Sequence, residues 1–174
     1  AALGVHPERR LPPFAARPFT ARWRAYQRGA GKRERQTRSE VVYFHDTFAT
    51  YNYPRIGIAA VKLLEAAGFA VTVERRRACC GRPLLSKGLI EDARRLAKQN
   101  VAALAPYAAR GVPIVGTEPS CILTLRDEYR DLLPNDAGAV ALAGQSFMID
   151  EFLAKLDAAG EMGIAWRDEA APAV

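Results

Sequence analysis

Two adjacent cysteines followed by glycine, in Ala78-Cys79-Cys80-Gly81-Arg82-Pro83, are the residues of this chain best suited to chemistry. A third cysteine stands in Thr117-Glu118-Pro119-Ser120-Cys121, and the sequence holds no others. Side chains on neighbouring residues diverge, so an adjacent pair chelates a single tetrahedral ion poorly. A polynuclear iron–sulfur cluster accepts such a pair more readily, because the two sulfurs can reach different irons. The run Arg75-Arg76-Arg77 precedes the pair and Arg82 follows it. Positive charge so placed is expected to lower the thiol pKa and to balance an anionic cluster. Gly81 relieves backbone crowding beside a bulky group, and Pro83 stiffens the exit from the loop.

The elements around these residues decide whether the sulfurs can meet. From about residue 40 to residue 134 the pattern reads βαβαβα. Val41-Val42-Tyr43-Phe44 suits a buried parallel strand, Ala70-Val71-Thr72-Val73 a second, and Pro113-Ile114-Val115-Gly116 a third. Ile58 to Ala67 reads as a helix, with Pro54 in its first turn and Gly68 as its stop. Leu89 to Leu104 is strongly amphipathic, with Leu89, Ala93, Leu96, Ala97, Val101 and Leu104 on one face. Pro119 opens a helix running towards Tyr129, and Ala139 to about Gly160 reads as a last helix built on Phe147, Met148, Phe152, Leu153 and Leu156. The expected fold is α/β, Rossmann-like and three-layered, with a small, mostly parallel sheet. Right-handed crossovers place all strand-to-helix loops of such a sheet on its carboxyl edge. His45-Asp46-Thr47, Cys79-Cys80-Gly81 and Glu118 to Cys121 therefore converge there.

Each of these residues also has an ordinary reading. Free cysteine is a small apolar residue that is often buried. His45 at a strand end suits a hydrogen-bonded structural role, and Asp46 can cap or brace a loop. Glu118 can coordinate a metal or favour a helix N-terminus electrostatically. Cys121 falls in the first turn of that helix, where free N–H groups favour a thiolate. Arg126-Asp127-Glu128-Tyr129 looks like a solvated helical face.

With 174 residues, 49% hydrophobic and 25% charged, the chain can bury one sizeable core, and no apolar run approaches the length of a membrane span. Three cysteines argue against a secreted disulfide framework and for a reducing, cytoplasmic setting. The net charge of +6 is unevenly spread. Residues 1–40 carry ten Lys and Arg against three Asp and Glu, whereas the remainder carries fifteen against sixteen. The basic excess thus belongs to a Pro- and Arg-rich N-terminal extension with one helical stretch near Phe19–Gln27, which argues against a nucleic-acid partner. The expected organisation is a linker over 1–40, one cysteine-rich domain over 41–160 and a tail over 161–174.

The spelling Ala78-Cys79-Cys80-Gly81-Arg82-Pro83-Leu84, then Gly88 and a long helix, then Glu118-Pro119-Ser120-Cys121 and Arg126-Asp127-Glu128, resembles the cysteine-rich CCG domain. That domain occurs in the glycolate oxidase iron–sulfur subunit, in the small subunit of anaerobic glycerol-3-phosphate dehydrogenase and in heterodisulfide reductase. Asp46-Thr47-Phe48 with Tyr51-Asn52-Tyr53-Pro54 is most similar to FAD-linked D-lactate dehydrogenase or glycolate oxidase-like proteins. The resemblance covers roughly residues 40–156. It implies an iron–sulfur cluster, of the 4Fe-4S type, bound by Cys79, Cys80 and Cys121. Electrons would be relayed for a flavin-linked 2-hydroxyacid oxidoreductase of the glycolate or D-lactate type, whose FAD lies on another domain or subunit. The implied partners are flavoprotein and ferredoxin-like domains, a second CCG module and a quinone acceptor. The chain would be one piece of a longer polypeptide, inactive alone, with attachment to the inner face of the membrane left open.

The fullest form of the motif has two further cysteines, where this chain has Thr47 and Glu118. With Gly81, Arg82 and Asp46 supporting the loop, Thr47, Glu118 and His45 are the further candidate ligands. Two alternatives stay open: a zinc-stabilised or metal-free structural module, with Glu118 or His45 completing a tetrahedral site, and a thiol–disulfide redox domain using a Cys121 bridge to one of the pair.

Overall fold

The computed structural model describes residues 6, 8–29 and 39–164. The expected tail beyond residue 164 lies outside them. Four strands, β1 (Glu40–Phe44), β2 (Ala70–Thr72), β3 (Ile114–Gly116) and β4 (Ser146–Met148), form one all-parallel sheet in the order β2-β1-β3-β4. The helices are α1 (Phe19–Gly29), α2 (Thr47–Tyr51), α3 (Pro54–Ala66), α4 (Arg82–Leu85), α5 (Ile90–Ala108), α6 (Pro119–Leu123), α7 (Tyr129–Leu132), α8 (Ala137–Gly144) and α9 (Ile149–Ala158). A π-helical turn over Thr124–Glu128 joins α6 to α7.

β1 is apolar at nearly every position because it is covered on both faces. Val42 and Phe44 point to one side and pack with Leu104, Ile114, Ile122, Leu125 and Tyr129. Val41 and Tyr43 point to the other and pack with Phe19, Leu64, Val115 and Phe152. This alternation puts the sheet between two helical layers, the three-layer α/β arrangement expected from the sequence. α1, ahead of β1, adds Phe19 and Trp23 to the second of these cores. Among the described residues, no helix is long and apolar enough to cross a membrane.

The C-terminal part differs from the sequence reading. The single helix expected from Ala139 to Gly160 is two helices separated by β4. Gln145 closes α8, and its carbonyl accepts the Ile114 amide at 2.7 Å, after which Ser146, Phe147 and Met148 register against Ile114, Val115 and Gly116. A three-residue apolar run inside helical sequence has no periodicity of its own, and only the neighbouring strand reveals it. The helix opened by Pro119 also runs further than expected, through the π-turn to Leu132. π-turns of this kind are frequent at functional sites.

Strand order fixes the position of the site. β1 leads to β2 on one side, whereas β3 and β4 lie on the other, so the loops after β1 and β3 diverge. The crevice between them at the carboxyl edge is the topological switch point where open α/β sheets bind ligands. Gly116 lets that crevice close from one side. A Cβ there would meet Ile122 Cδ1 at 2.6 Å, so a larger residue would force the buried Ile122 side chain of α6, the helix that carries Cys121, to shift.

Candidate functional site

The three cysteines meet at the switch point. The sulfurs of Cys80 and Cys121, 41 residues apart in sequence, lie 3.1 Å from each other, and all three thiols are free. Cys79, Cys80 and Cys121 line one cavity of about 220 Å³ with Thr47, Phe48, Arg82, Pro83, Ser86, Glu118 and Ser120.

The loop that carries Cys79 and Cys80 is held by side chains whose role sequence reasoning missed. Asn100, fully buried on α5, accepts the Ala78 amide at 2.7 Å and donates to the Cys79 carbonyl at 3.0 Å. It also donates to the Tyr129 hydroxyl at 2.7 Å, and Tyr129 in turn donates to the Cys80 carbonyl at 3.0 Å. Three backbone groups of the loop, one buried and two half-buried, are thus satisfied by two residues on separate helices, which fixes where both sulfurs leave the backbone. One sequence signal for Asn100 existed: a lone amide on the apolar face defined by Ala93, Ala97, Val101 and Leu104. Tyr129, read from the sequence as part of a solvated face, is instead fully buried.

Gly81 completes the loop in the left-handed region, at φ +92°, against Ala93 of α5. An L-residue is strained there, so Gly81→Ala should destabilise the chain by about 1–2 kcal/mol, measured by urea denaturation.

The remaining sequence-expected residues sort by contact. Thr47 is near enough to hydrogen-bond the Cys79 thiol. Glu118 caps α6, its carboxylate accepting from the Ser120 amide at 3.3 Å and from the Ser120 hydroxyl. Asp46 caps α2 by accepting the Ala49 amide at 2.9 Å. Arg82 pairs with Glu128, and Arg126 with Glu151. His45 does not line the cysteine cavity. Its ring packs on Phe19, and its Nδ1 lies 2.8 Å from Arg77 Nη2 and 2.9 Å from the Thr50 hydroxyl.

Of the four arginines around the pair, Arg77 alone acts electrostatically on Cys79 and Cys121. Arg76 turns to Glu74, Arg82 to Glu128, and Arg75 is exposed. The Cys80 thiol is pushed up to about 12, first by its hydrogen bond to Cys121 and then by burial, although its contact with Cys79 works the other way. Cys79 is also pushed well above the ordinary thiol range, by its hydrogen bond to Cys80 and by burial. Without a metal these two sulfurs keep their protons at neutral pH.

Burial and the charge of Arg77 hold His45 neutral, with its pKa lowered to about 3. The unfolded chain protonates this residue near pH 6.5. The unfolded state therefore binds the extra proton first, and the stability of the neutral form is complete above about pH 6.5 and declines as pH falls towards 3. The melting temperature of the chain should fall across that window more steeply than that of a His45→Asn variant.

Among the described residues, no three His, Cys, Asp or Glu side chains close around a single ion position. The Cys80–Cys121 separation of 3.1 Å is that of a hydrogen-bonded pair of thiols. Thiolates on one tetrahedral ion at about 2.3 Å would stand about 3.8 Å apart, and thiolates on two irons further still, so binding either group must part them. Three thiols bordering one cavity, two of them from adjacent residues, fit a polynuclear cluster better than a single ion.

A parallel α/β sheet with a Cys-Cys-Gly loop facing a third cysteine across its switch point defines a class of cysteine-rich module. Residues 41–126 match the CCG family model, described as a cysteine-rich domain, and this part of the chain belongs to that family. Over 137 residues, 78% of this chain and 34% of the relative, it is 33% identical to a subunit of anaerobic glycerol-3-phosphate dehydrogenase from Escherichia coli K12. It is 32% identical over 105 residues to lactate utilization protein A of Exiguobacterium sp. AT1b, covering 58% of this chain and 42% of that protein. Lactate utilization protein A of Macrococcus caseolyticus is 31% identical over 106 residues, 59% of this chain and 41% of the relative. The chain thus spans less than half the length of these relatives. No solved structure matches it.

Proposed function

We propose that this chain is the cluster-binding, electron-transfer module of an oxidoreductase, with Cys79, Cys80 and Cys121 as thiolate ligands of one iron–sulfur cluster. The observation that carries this reading is the meeting of three free thiols, from the loops after β2 and β3, on one cavity at the switch point. A bound cluster would supply one-electron redox chemistry, and the chain's own part is to hold and shield it. Asn100 and Tyr129 fix the loop, Gly81 turns it, and Phe48 and Pro83 give the cavity apolar wall. The names of the relatives, a dehydrogenase subunit and lactate utilization proteins, support an oxidoreductase setting. Glycerol 3-phosphate and lactate are both secondary alcohols. We assign the module to a flavin-linked enzyme oxidising such a substrate, with FAD and further electron carriers on other domains or subunits. Thr47, which reaches the Cys79 thiol, is a candidate oxygen donor, whereas Glu118 serves the helix cap. Anaerobic reconstitution followed by iron, sulfide and zinc analysis tests the reading. Stoichiometric iron and sulfide are expected, and stoichiometric zinc without iron would replace the cluster by a structural metal.

The 3.1 Å separation of the Cys80 and Cys121 sulfurs favours a second reading for the metal-free chain. Loss of both thiol protons and two electrons to a disulfide acceptor would join them, leaving Cys79 as the one free thiol. Thiol counting after exposure to oxidised glutathione should then give one thiol per chain; a count of three would exclude the bridge.

A further inference from the structure

A second cavity, of about 330 Å³, adjoins the cysteine cavity and is lined by Thr20, His45, Thr47, Thr50, Tyr51, Arg75, Arg77 and Cys79. Every one of these side chains is polar or a thiol, unlike the largely apolar cores on either side of the sheet. Arg77 is half-buried in its wall, yet it hydrogen-bonds neutral groups: the His45 ring, the Thr50 hydroxyl at 2.8 Å and the Ala78 carbonyl at 3.3 Å. It forms no ion pair among the described residues. Asp46, the nearby carboxylate, is committed to the cap of α2, and the Phe44 ring centroid lies 5.6 Å from the guanidinium carbon. The charge of Asp46 acts on Arg77 from beyond ion-pair contact, so the half-buried guanidinium has no directly bound anion, and an anion entering the cavity would offset part of its desolvation. Arg75 adds a second, exposed cation to the same wall, and Thr20, Thr47, Thr50 and Tyr51 add hydroxyls.

We infer that this cavity is a binding site for a small oxyanion, a carboxylate or a phosphate ester, held by Arg77 and Arg75. A guanidinium fork with hydroxyls around it is the donor set that such groups take. Thr47 and Cys79 border both cavities, so the anion sits against the cysteine loop. The site itself does not depend on a cluster being present.

The test uses the whole chain, reduced and metal-free, titrated with sodium phosphate and separately with sodium acetate against sodium chloride of equal ionic strength. Amide chemical shifts provide the readout. Saturable shifts confined to residues 45–51 and 75–79 are expected with at least one probe; phosphate alone would identify the phosphate class and acetate alone the carboxylate class. Arg77→Gln, which keeps hydrogen-bond donors for the loop, should weaken binding about tenfold or more. Arg75→Ala should weaken it by a few-fold, about two to five, and Arg95→Ala, an equal charge change on α5 outside the cavity, should leave it unchanged. No saturation with either probe would overturn the site. So would equal weakening by Arg75→Ala and Arg95→Ala, since that pattern reports only the overall charge.

Discussion

Cys121→Ser should lower the iron and sulfide retained after anaerobic reconstitution by about tenfold or more, the minimum expected when a ligand rather than its outer support is lost. The substitution is nearly isosteric, at a half-buried position whose sulfur lies against that of Cys80, so the fold should survive. Cys79→Ser and Cys80→Ser should behave alike, because all three sulfurs border the same cavity. Glu118→Gln should keep wild-type iron, since that carboxylate is engaged at the start of α6. Iron analysis with a circular dichroism check on each variant separates loss of a ligand from loss of fold.

The second large effect is expected at Asn100. Truncation to alanine leaves the Ala78 amide and the Cys79 carbonyl, both half-buried, without their partner and removes a donor from the buried Tyr129 hydroxyl. Each stranded buried group costs about 1–3 kcal/mol, so Asn100→Ala should destabilise the chain by about 3 kcal/mol or more. For a domain of this size that corresponds to a fall in Tm of roughly 6–12 °C. Tyr129→Phe removes only the bond to the Cys80 carbonyl and one acceptor for Asn100, and should cost about half as much. If both act by fixing the cysteine loop, each should also slow or reduce iron incorporation at temperatures where the variants remain folded.

These two residues mark the boundary of what the sequence makes legible. The convergence of the cysteines followed from strand order alone, because parallel strands with helical crossovers deliver their loops to one edge. β1, the Pro54 start of α3, the amphipathic face of α5 and the Pro119 start of α6 were readable from periodicity and proline placement. Tyr129 was not, because its partner lies 49 positions away and a hydrogen bond at that range leaves no local pattern; Asn100 left one trace, a lone amide on an apolar face, which does not name a partner 22 positions away. The state of the thiols misled for a related reason. Arg75, Arg76 and Arg82 are near the cysteines in sequence, yet two of them reach carboxylates and the third faces solvent, which leaves Arg77 as the one arginine of the set acting on the thiols, and contact between the thiols and burial outweigh it. β4 was hidden because three residues carry too little periodicity to distinguish a strand from a helical turn.

Iron-edge X-ray absorption on the reconstituted chain tests the central claim most directly. Three thiolates on one cluster predict a first shell of sulfur together with a neighbouring-iron scatterer, both lost in Cys121→Ser. An oxygen- and nitrogen-dominated shell, or sulfur without any iron neighbour, would contradict it.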